Sequence, residues 1–251
     1  MISIIMPAYN AASTIETSIK SVTSQTYQAW ELIIVDDCSV DGTREIAEAM
    51  STLDSRIRLC TNETNRGVAY SRNHGISQAR GQWIAFLDSD DIWHDTKLDT
   101  QLQFMETTGA AISYTATTYI NKEGTPSGYV LQAAPQLTYS GLLKRNLMSC
   151  SSVMARRDVM IPFPISDKDL HEDYACWLTI LRKTGCAHGL DEPLLIYRLA
   201  PSSKSGNRLR SAKMTYNTYC HVGYSRFFSL LLTVRYSLHS IPKRVRVKRK
   251  F

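Results

Sequence analysis

Three carboxylates, Asp88, Asp90 and Asp91, stand directly behind the apolar run Trp83-Ile84-Ala85-Phe86-Leu87. Burying like charges this close together is costly without compensation. A hard divalent cation, Mn²⁺ or Mg²⁺, takes oxygen ligands and offsets that charge. Mg²⁺ in particular is often shared between one or two carboxylates and substrate phosphates. A second acidic pair, Asp36-Asp37, closes the run Glu31-Leu32-Ile33-Ile34-Val35, and Tyr9 follows the run Ile2 to Met6. An aromatic ring can stack on a nucleobase while an Asp accepts from the imide N–H of uracil. Arg66 and Arg72 add positive charge suited to a pyrophosphate. Base, diphosphate and cation together describe a nucleotide sugar. Plainer roles compete at each position. Asp88 to Asp91 also reads as an acidic turn before a helix near Asp95. Asp36 reads as a turn residue, which shifts weight to Asp37, and Arg66 as a solvated charge. Asp41-Gly42-Thr43 reads as a turn with a helix cap.

The elements that position these residues follow from the hydrophobic pattern. Ile2 to Met6, Glu31 to Val35 and Trp83 to Leu87 are short continuous apolar runs, as in strands covered on both faces of a parallel sheet. Pro7 closes the first, since it cannot donate to a ladder. Arg56 to Thr61 is a further strand. Between the strands lie helices: one from Ser13 or Thr14 with Ile15, Ile19 and Val22 on one face, one ending near Leu53, and one over 67–79. Such alternation predicts a doubly wound α/β fold, whose ligands bind at the carboxyl ends of the strands. Beyond Asp95 the pattern predicts a helix over 96–107, a half-exposed strand over 110–120 and a turn at Asn121 to Gly124. A loop over the site is expected at 125–138, then a short helix over 139–146 and a strand over 149–155. An amphipathic helix follows over 172–184 and a last strand over 194–198.

Composition sets outer bounds. The chain has 251 residues, 43% hydrophobic and 21% charged, enough for one sizeable core. Its formal net charge of +6 is matched by six basic residues near the end: Lys243, Arg244, Arg246, Lys248, Arg249 and Lys250. Six scattered cysteines without CxxC spacing indicate neither a zinc site nor a redox dithiol. The opening residues enter a strand without a charged leader, and a reducing, cytoplasmic setting is expected. No apolar run reaches the roughly 20 residues of a membrane span. His171, His188 and His221 are candidates for a further metal ligand, although a lone His is more often structural.

Five stretches together resemble the family 2 glycosyltransferases of GT-A fold. They are Ile5-Met6-Pro7-Ala8-Tyr9-Asn10, Val35 to Thr43, Arg72-Asn73-His74-Gly75, Phe86 to Asp91, and His171-Glu172-Asp173 ahead of Trp177-Leu178. The resemblance runs over about residues 1–200. It implies a Rossmann-like, mostly parallel sheet flanked by helices. It also implies metal-dependent, inverting transfer of a sugar from a nucleoside diphosphate sugar. By resemblance, Pro7, Tyr9 and Asp37, with Asp36 adjacent, match uridine-binding positions, and Arg72 lies near the donor phosphates or ribose. Asp88, Ser89 and Asp90 form the acid-x-acid motif, with Asp90 or Asp91 beside Asp88 on the metal. Asp173 matches the proposed general base. Cys38 stands where the family usually has Gly. The Gln-x-x-Arg-Trp motif of processive members is absent, which points to transfer of one sugar. Tyr197-Arg198 and the serines at 202–205 resemble a late loop that closes over the donor.

This organisation divides the chain into a catalytic part, 1–207, and a basic helical tail, 208–251. Within the first, 1–95 takes the nucleotide sugar and 96–207 the acceptor. In the tail, an apolar helix over 224–238 precedes the basic cluster. That pairing suits an anionic membrane surface; packing on the body is the plain alternative. No recognition motif supports nucleic-acid binding. The expected partners are therefore a nucleoside diphosphate sugar and a lipid-linked glycan, at the inner face of the cell membrane. A sugar-nucleotide pyrophosphorylase would want a Gly-rich basic phosphate loop where Pro7-Ala8-Tyr9-Asn10 stands. A non-catalytic sugar-nucleotide-binding module would not need the full carboxylate set.

Overall fold

The computed structural model describes residues 1–166, 169–199 and 208–248, with 208 and 240–248 as backbone alone. The expected serine-rich loop at 202–205 and the last basic residues, Arg249 and Lys250, lie outside the described residues. Four strands, β1 (Ile2–Ala8), β2 (Trp30–Asp36), β3 (Ile57–Thr61) and β4 (Trp83–Phe86), pair in parallel in the order β3-β2-β1-β4. Their side chains alternate between two cores. Ile5, Ile33, Val35, Ile84 and Phe86 face one; Ile4, Met6, Leu32, Ile34 and Ala85 face the other. Both faces are covered, which is why these strands read as continuous apolar runs. Helices α1 (Ile15–Thr23) and α2 (Thr43–Leu53) lie on the second face, and α3 (Val68–Gln78) on the first.

β1 does not stop before Pro7 as expected; it continues to Ala8. Ile5 accepts from Leu87 N–H on the β4 side, and Ala8 accepts from Asp37 N–H on the β2 side. By that alternation the N–H missing at Pro7 would point past the end of β4, where no ladder partner is lost.

The sheet then changes character. A two-residue strand β5 (Ile92–Trp93) leads into α4 (Lys97–Thr108) and β6 (Ile112–Ile120). β6 is almost wholly buried, not half-exposed. It lies between β9 (Met154–Arg156) and β10 (Cys186–Arg198) in the order β4-β9-β6-β10-β5. Its Thr and Tyr residues imitate an exposed strand in sequence while standing in a central one. The segment 125–138 is also not one loop. It holds β7 (Pro126–Leu131) on β6 and β8 (Gln136–Thr138) on β10. In β7 one inward residue is Ser127, so the alternation carries little hydrophobic signal. Two short helices, α5 (Tyr139–Lys144) and α6 (Arg157–Met160), precede α7 (Glu172–Thr184). α7 packs its Trp177 edge-on against Phe86 of β4 at 5.7 Å. α8 (Arg208–His221) places Tyr219 in the same core, although the sequence division assigns it to the tail. The last helix is α9 (Arg226–Lys248).

Candidate active site

Parallel pairing of β3, β2, β1 and β4 opens their carboxyl ends on one rim. Pro7 is buried in β1 opposite Val35, while Tyr9 in the following loop is 50% exposed, its ring open to solvent. This loop is tied to the one after β2. Asn10 N–H donates to Ser39 Oγ, Ala11 N–H to Thr43 Oγ1 and Ala12 N–H to Asp41 Oδ2. Cys38 has φ +64°, a left-handed conformation that glycine adopts freely. That accounts for the family's usual Gly at this turn and marks Cys38 as locally strained.

The two acids after β2 have different surroundings. Asp36 is fully buried; its Oδ2 accepts from Arg44 Nε and Nη2 at 3.1 and 2.9 Å, and Ser39 N–H also points at it. It ties the turn to α2. Asp37 Oδ1 accepts from Asn62 Nδ2 and Arg66 N–H, and its Oδ2 from Gly67 N–H at 2.7 Å. Oδ2 thus keeps a lone pair for one further donor. Arg66 itself stacks over Tyr70 at 3.6 Å.

Arg72, in the middle of α3, connects the two halves of the rim. It is buried, and its Nη2 donates to Asp88 Oδ1 at 2.6 Å while Nη1 lies 3.7 Å from Glu172 Oε1. Its Nε has no partner. Burial disfavours the charge, but Asp88, Glu172 and Asp173 around it hold its pKa above the ordinary guanidinium value. Glycine explains how α3 comes this close. A Cβ on Gly75 would lie 2.7 Å from Ile5 Cγ2 and 3.3 Å from Val35 Cγ2.

Past β4, Asp88 is partly exposed and Ser89 sits in the turn beside it. Burial first, then the neighbouring Asp88, pushes the Asp90 carboxyl up to about 6. Asp91 faces inward. Its Oδ2 accepts from Ser151 Oγ at 2.6 Å and its Oδ1 from Arg198 N–H at 3.0 Å. Burial, then Asp90 and Asp88, raises its pKa well above the usual range. Ser151 Oγ in turn accepts from Asp88 N–H, so one hydroxyl joins two acids of the motif. Arg198 Nε also donates to the Asp90 carbonyl. At the start of α7, Asp173 is raised by burial and by Glu172, against the pull of Arg72 and His171.

The structure therefore gathers Asp88, Ser89, Asp90 and Asp91 with Arg72 and the Glu172-Asp173 pair, and sets Pro7, Tyr9, Asp36 and Asp37 along the same rim. It also brings Ser151 and Glu172 into contact with these candidates. Glu172 was visible in the His171-Glu172-Asp173 stretch and as a helix-start residue, without a role of its own. Ser151, in the run Ser149-Cys150-Ser151-Ser152, carries no signal of its own. Among the described residues, no three His, Cys, Asp or Glu side chains gather to hold a metal ion by themselves. His171 instead meets Ser211 O through Nε2.

Residues 3–161 match the glycosyl transferase family 2 domain. The chain belongs to that family. This family 2 glycosyltransferase is 37% identical over 246 residues to the putative teichuronic acid biosynthesis glycosyltransferase TuaG of Bacillus subtilis (strain 168), covering 98% of each chain. It is 36% identical over 245 residues to the UDP-Glc:alpha-D-GlcNAc-diphosphoundecaprenol beta-1,3-glucosyltransferase WfaP of Escherichia coli, covering 97% of this chain and 95% of WfaP. The crystal structure of S. aureus TarS 1-349 in complex with UDP aligns with a TM-score of 0.72, covering 96% of this chain and 72% of that one at 18% identity. That likeness is one of fold, and the fold is GT-A. The glycosyltransferase is thus an enzyme of the transferase type, built as expected on an α/β sheet flanked by helices, though beyond β4 the sheet is mixed rather than mostly parallel.

Proposed function

We propose that this enzyme moves one sugar from a UDP-linked donor to a hydroxyl of a lipid-linked glycan, with a divalent cation and with inversion at the anomeric carbon. The single observation that carries the reading is the bridge from Asp88 through Arg72 to Glu172. It brings the acid-x-acid motif and the base candidate Asp173 to one place. The donor half (1–95) supplies Tyr9 to stack on the base, Asp37 to accept from the imide, and Pro7 to shape the floor beneath. Asp36 supports the turn that presents Asp37. The acceptor half, 96–207, supplies Asp173. A lipid-linked acceptor is supported by the likeness to WfaP, a glucosyltransferase named for a diphosphoundecaprenol-linked acceptor and a UDP-Glc donor. Such an acceptor puts the work at the inner face of the cell membrane, with the enzyme peripheral.

The residues present fit a cation. Asp88 and Asp90 offer hard oxygen donors side by side, and burial first, then the Asp88 charge, raises the Asp90 carboxyl, a position a cation would relieve. Mn²⁺ or Mg²⁺ would suit that donor set, with Asp88 and Asp90 as the residues that would hold it. Asp91, engaged by Ser151 and Arg198, holds the loop rather than the ion. A cation held by Asp88 and Asp90 would supply positive charge to offset that developing on the leaving diphosphate. Asp173 takes the proton from the attacking hydroxyl. Arg72 orients Asp88. One displacement inverts the anomeric centre, so no nucleophile from the protein is required.

A thermal-shift panel of UDP- and GDP-sugars with and without Mn²⁺ tests this. A UDP-sugar at about 100 times its Kd stabilises by about 2.7 kcal/mol, and the shift should need the cation. Equal shifts without Mn²⁺, or a response to GDP-sugars alone, overturns the donor and metal assignment.

A further inference from the structure

Helix α9 leaves more large apolar residues on its outer face than it packs inward. Its inward residues include Ser229, fully buried, and Thr233, 7% exposed, with Thr233 Oγ1 donating back to Ser229 O at 2.7 Å. Leu232 and Tyr236 pack inward with them, but six further large apolar residues point outward: Phe227, Phe228, Leu230, Leu231, Val234 and Leu238 are each between 49 and 67% exposed. An apolar stripe on the outer face of a helix marks a surface that something covers. No helix among the described residues is long and apolar enough to cross a membrane, so this face can lie on a bilayer but not span it.

Charge selects the occupant. Exposed Arg226 and Arg235 flank the stripe. From residue 226 to the end the sequence carries eight Lys or Arg and no Asp or Glu. Pairing with a second copy would press two such segments together, against Coulomb repulsion. An anionic lipid surface meets the apolar stripe and the basic residues at once.

We infer that the outward face of α9 docks on an anionic lipid bilayer and is fixed to the catalytic helix. The fixing is visible in rings. Tyr236 of α9 lies 5.5 Å from Tyr174, the residue after Asp173, and Tyr139 Oη donates to Tyr224 Oη just ahead of α9. Docking therefore sets the Asp173 end of α7 at a defined height above the lipid. That height serves a lipid-linked acceptor, and this last step rests on the function proposed above.

The test is flotation of the full chain with vesicles of phosphatidylcholine alone or containing about one third phosphatidylglycerol. The wild type should float with the anionic vesicles and be released by salt. Phe227→Ser/Leu231→Ser/Leu238→Ser, all at exposed positions, should weaken partitioning by about tenfold or more with an unchanged melting temperature. Lys243→Gln/Arg244→Gln/Arg246→Gln/Lys248→Gln should lose the preference for phosphatidylglycerol. A wild type that stays at the bottom of the gradient overturns the inference. So does a triple Ser variant that floats as well as the wild type, or a lipid-free dimer that this variant converts to a monomer. UDP binding with Mn²⁺, measured on the same samples, separates the two proposals: its absence removes the donor assignment and leaves the docking face standing.

Discussion

Arg72 Nη2 lies 2.6 Å from Asp88 Oδ1, and the same guanidinium turns its Nη1 towards Glu172. A residue in the middle of α3 is thereby the joint between a loop after β4 and the start of α7. Arg72 is buried while Asp88 keeps contact with solvent, so the guanidinium is the member that depends on the contact: without its carboxylates it would be a buried charge left uncompensated.

Arg72→Lys tests that joint. A lysine is a point charge without the planar fork that reaches two carboxylates. It should keep the contact with Asp88 and lose the one towards Glu172, lowering kcat/KM with a modest change in melting temperature. Arg72→Met removes both and should cost about 1–3 kcal/mol in denaturant unfolding, less than a fully buried pair would, because the Asp88 carboxylate left behind still reaches solvent. Equal activity in the Lys variant and the wild type would show that the bridge is packing alone.

Asp173 makes a prediction with a pH sign. A general base works ionised, and burial together with Glu172 raises this carboxyl. As pH falls, Asp173 takes its proton earlier than an ordinary Asp, so the acid limb of kcat/KM should sit above about pH 3.9, the free Asp value. Glu172→Gln removes a neighbouring negative charge and should move the limb to lower pH. Asp173→Asn should lower kcat by about 10²–10⁴ while keeping the fold, the usual contribution of a positioned acid or base. A variant with full turnover means the proton leaves by another group.

Asp36 and Asp37 should separate by readout. Asp36→Asn weakens the two contacts from Arg44 and the turn at Ser39, so melting temperature falls while UDP affinity changes little. Asp37→Asn strikes the oxygen left for the imide, so UDP affinity measured by calorimetry should drop well beyond any loss of stability. The opposite pattern would exchange their roles.

How much of this was legible in the sequence depended on how many faces of an element are buried. β1, β2 and β4 are covered on both sides, and their apolar runs located the rim and the acids behind it. α7 read correctly from Glu172 to Thr184 because its buried stripe recurs at helical spacing. β7 was hidden because Ser127 faces inward, and β6 was misjudged because a central strand there is built from Thr and Tyr. Within the site, side chains on strand ends and motif turns were readable. Ser151 was not, since only the folding of a distant segment sets its hydroxyl between Asp88 and Asp91. Cys38 shows the limit from the other side: its departure from Gly was visible, but the positive φ that explains it is a property of the folded turn.

Gly75 tests the scaffold without touching the chemistry. It lies one turn after Arg72 on the face of α3 that rests on β1, where an added methyl meets the branched carbon of Ile5 at 2.7 Å. Ile5 is fully buried in a central strand and has little room to yield. Overpacking of this kind costs about 1–3 kcal/mol. Alanine's better helix propensity returns up to about 1 kcal/mol. Gly75→Ala should therefore lose about 1–2 kcal/mol, a fall of about 2–8 °C for a chain of this size. α3 must lift from the sheet to admit the methyl, and Arg72 moves with it, so kcat/KM should fall although no polar group has changed. Ile5→Leu removes the β-branch that Cβ would strike, and the double variant should recover part of both losses, a coupling expected of residues in contact. If Gly75→Ala is as stable and as active as the wild type, the close approach of α3 to β1 is not what holds Arg72 against Asp88.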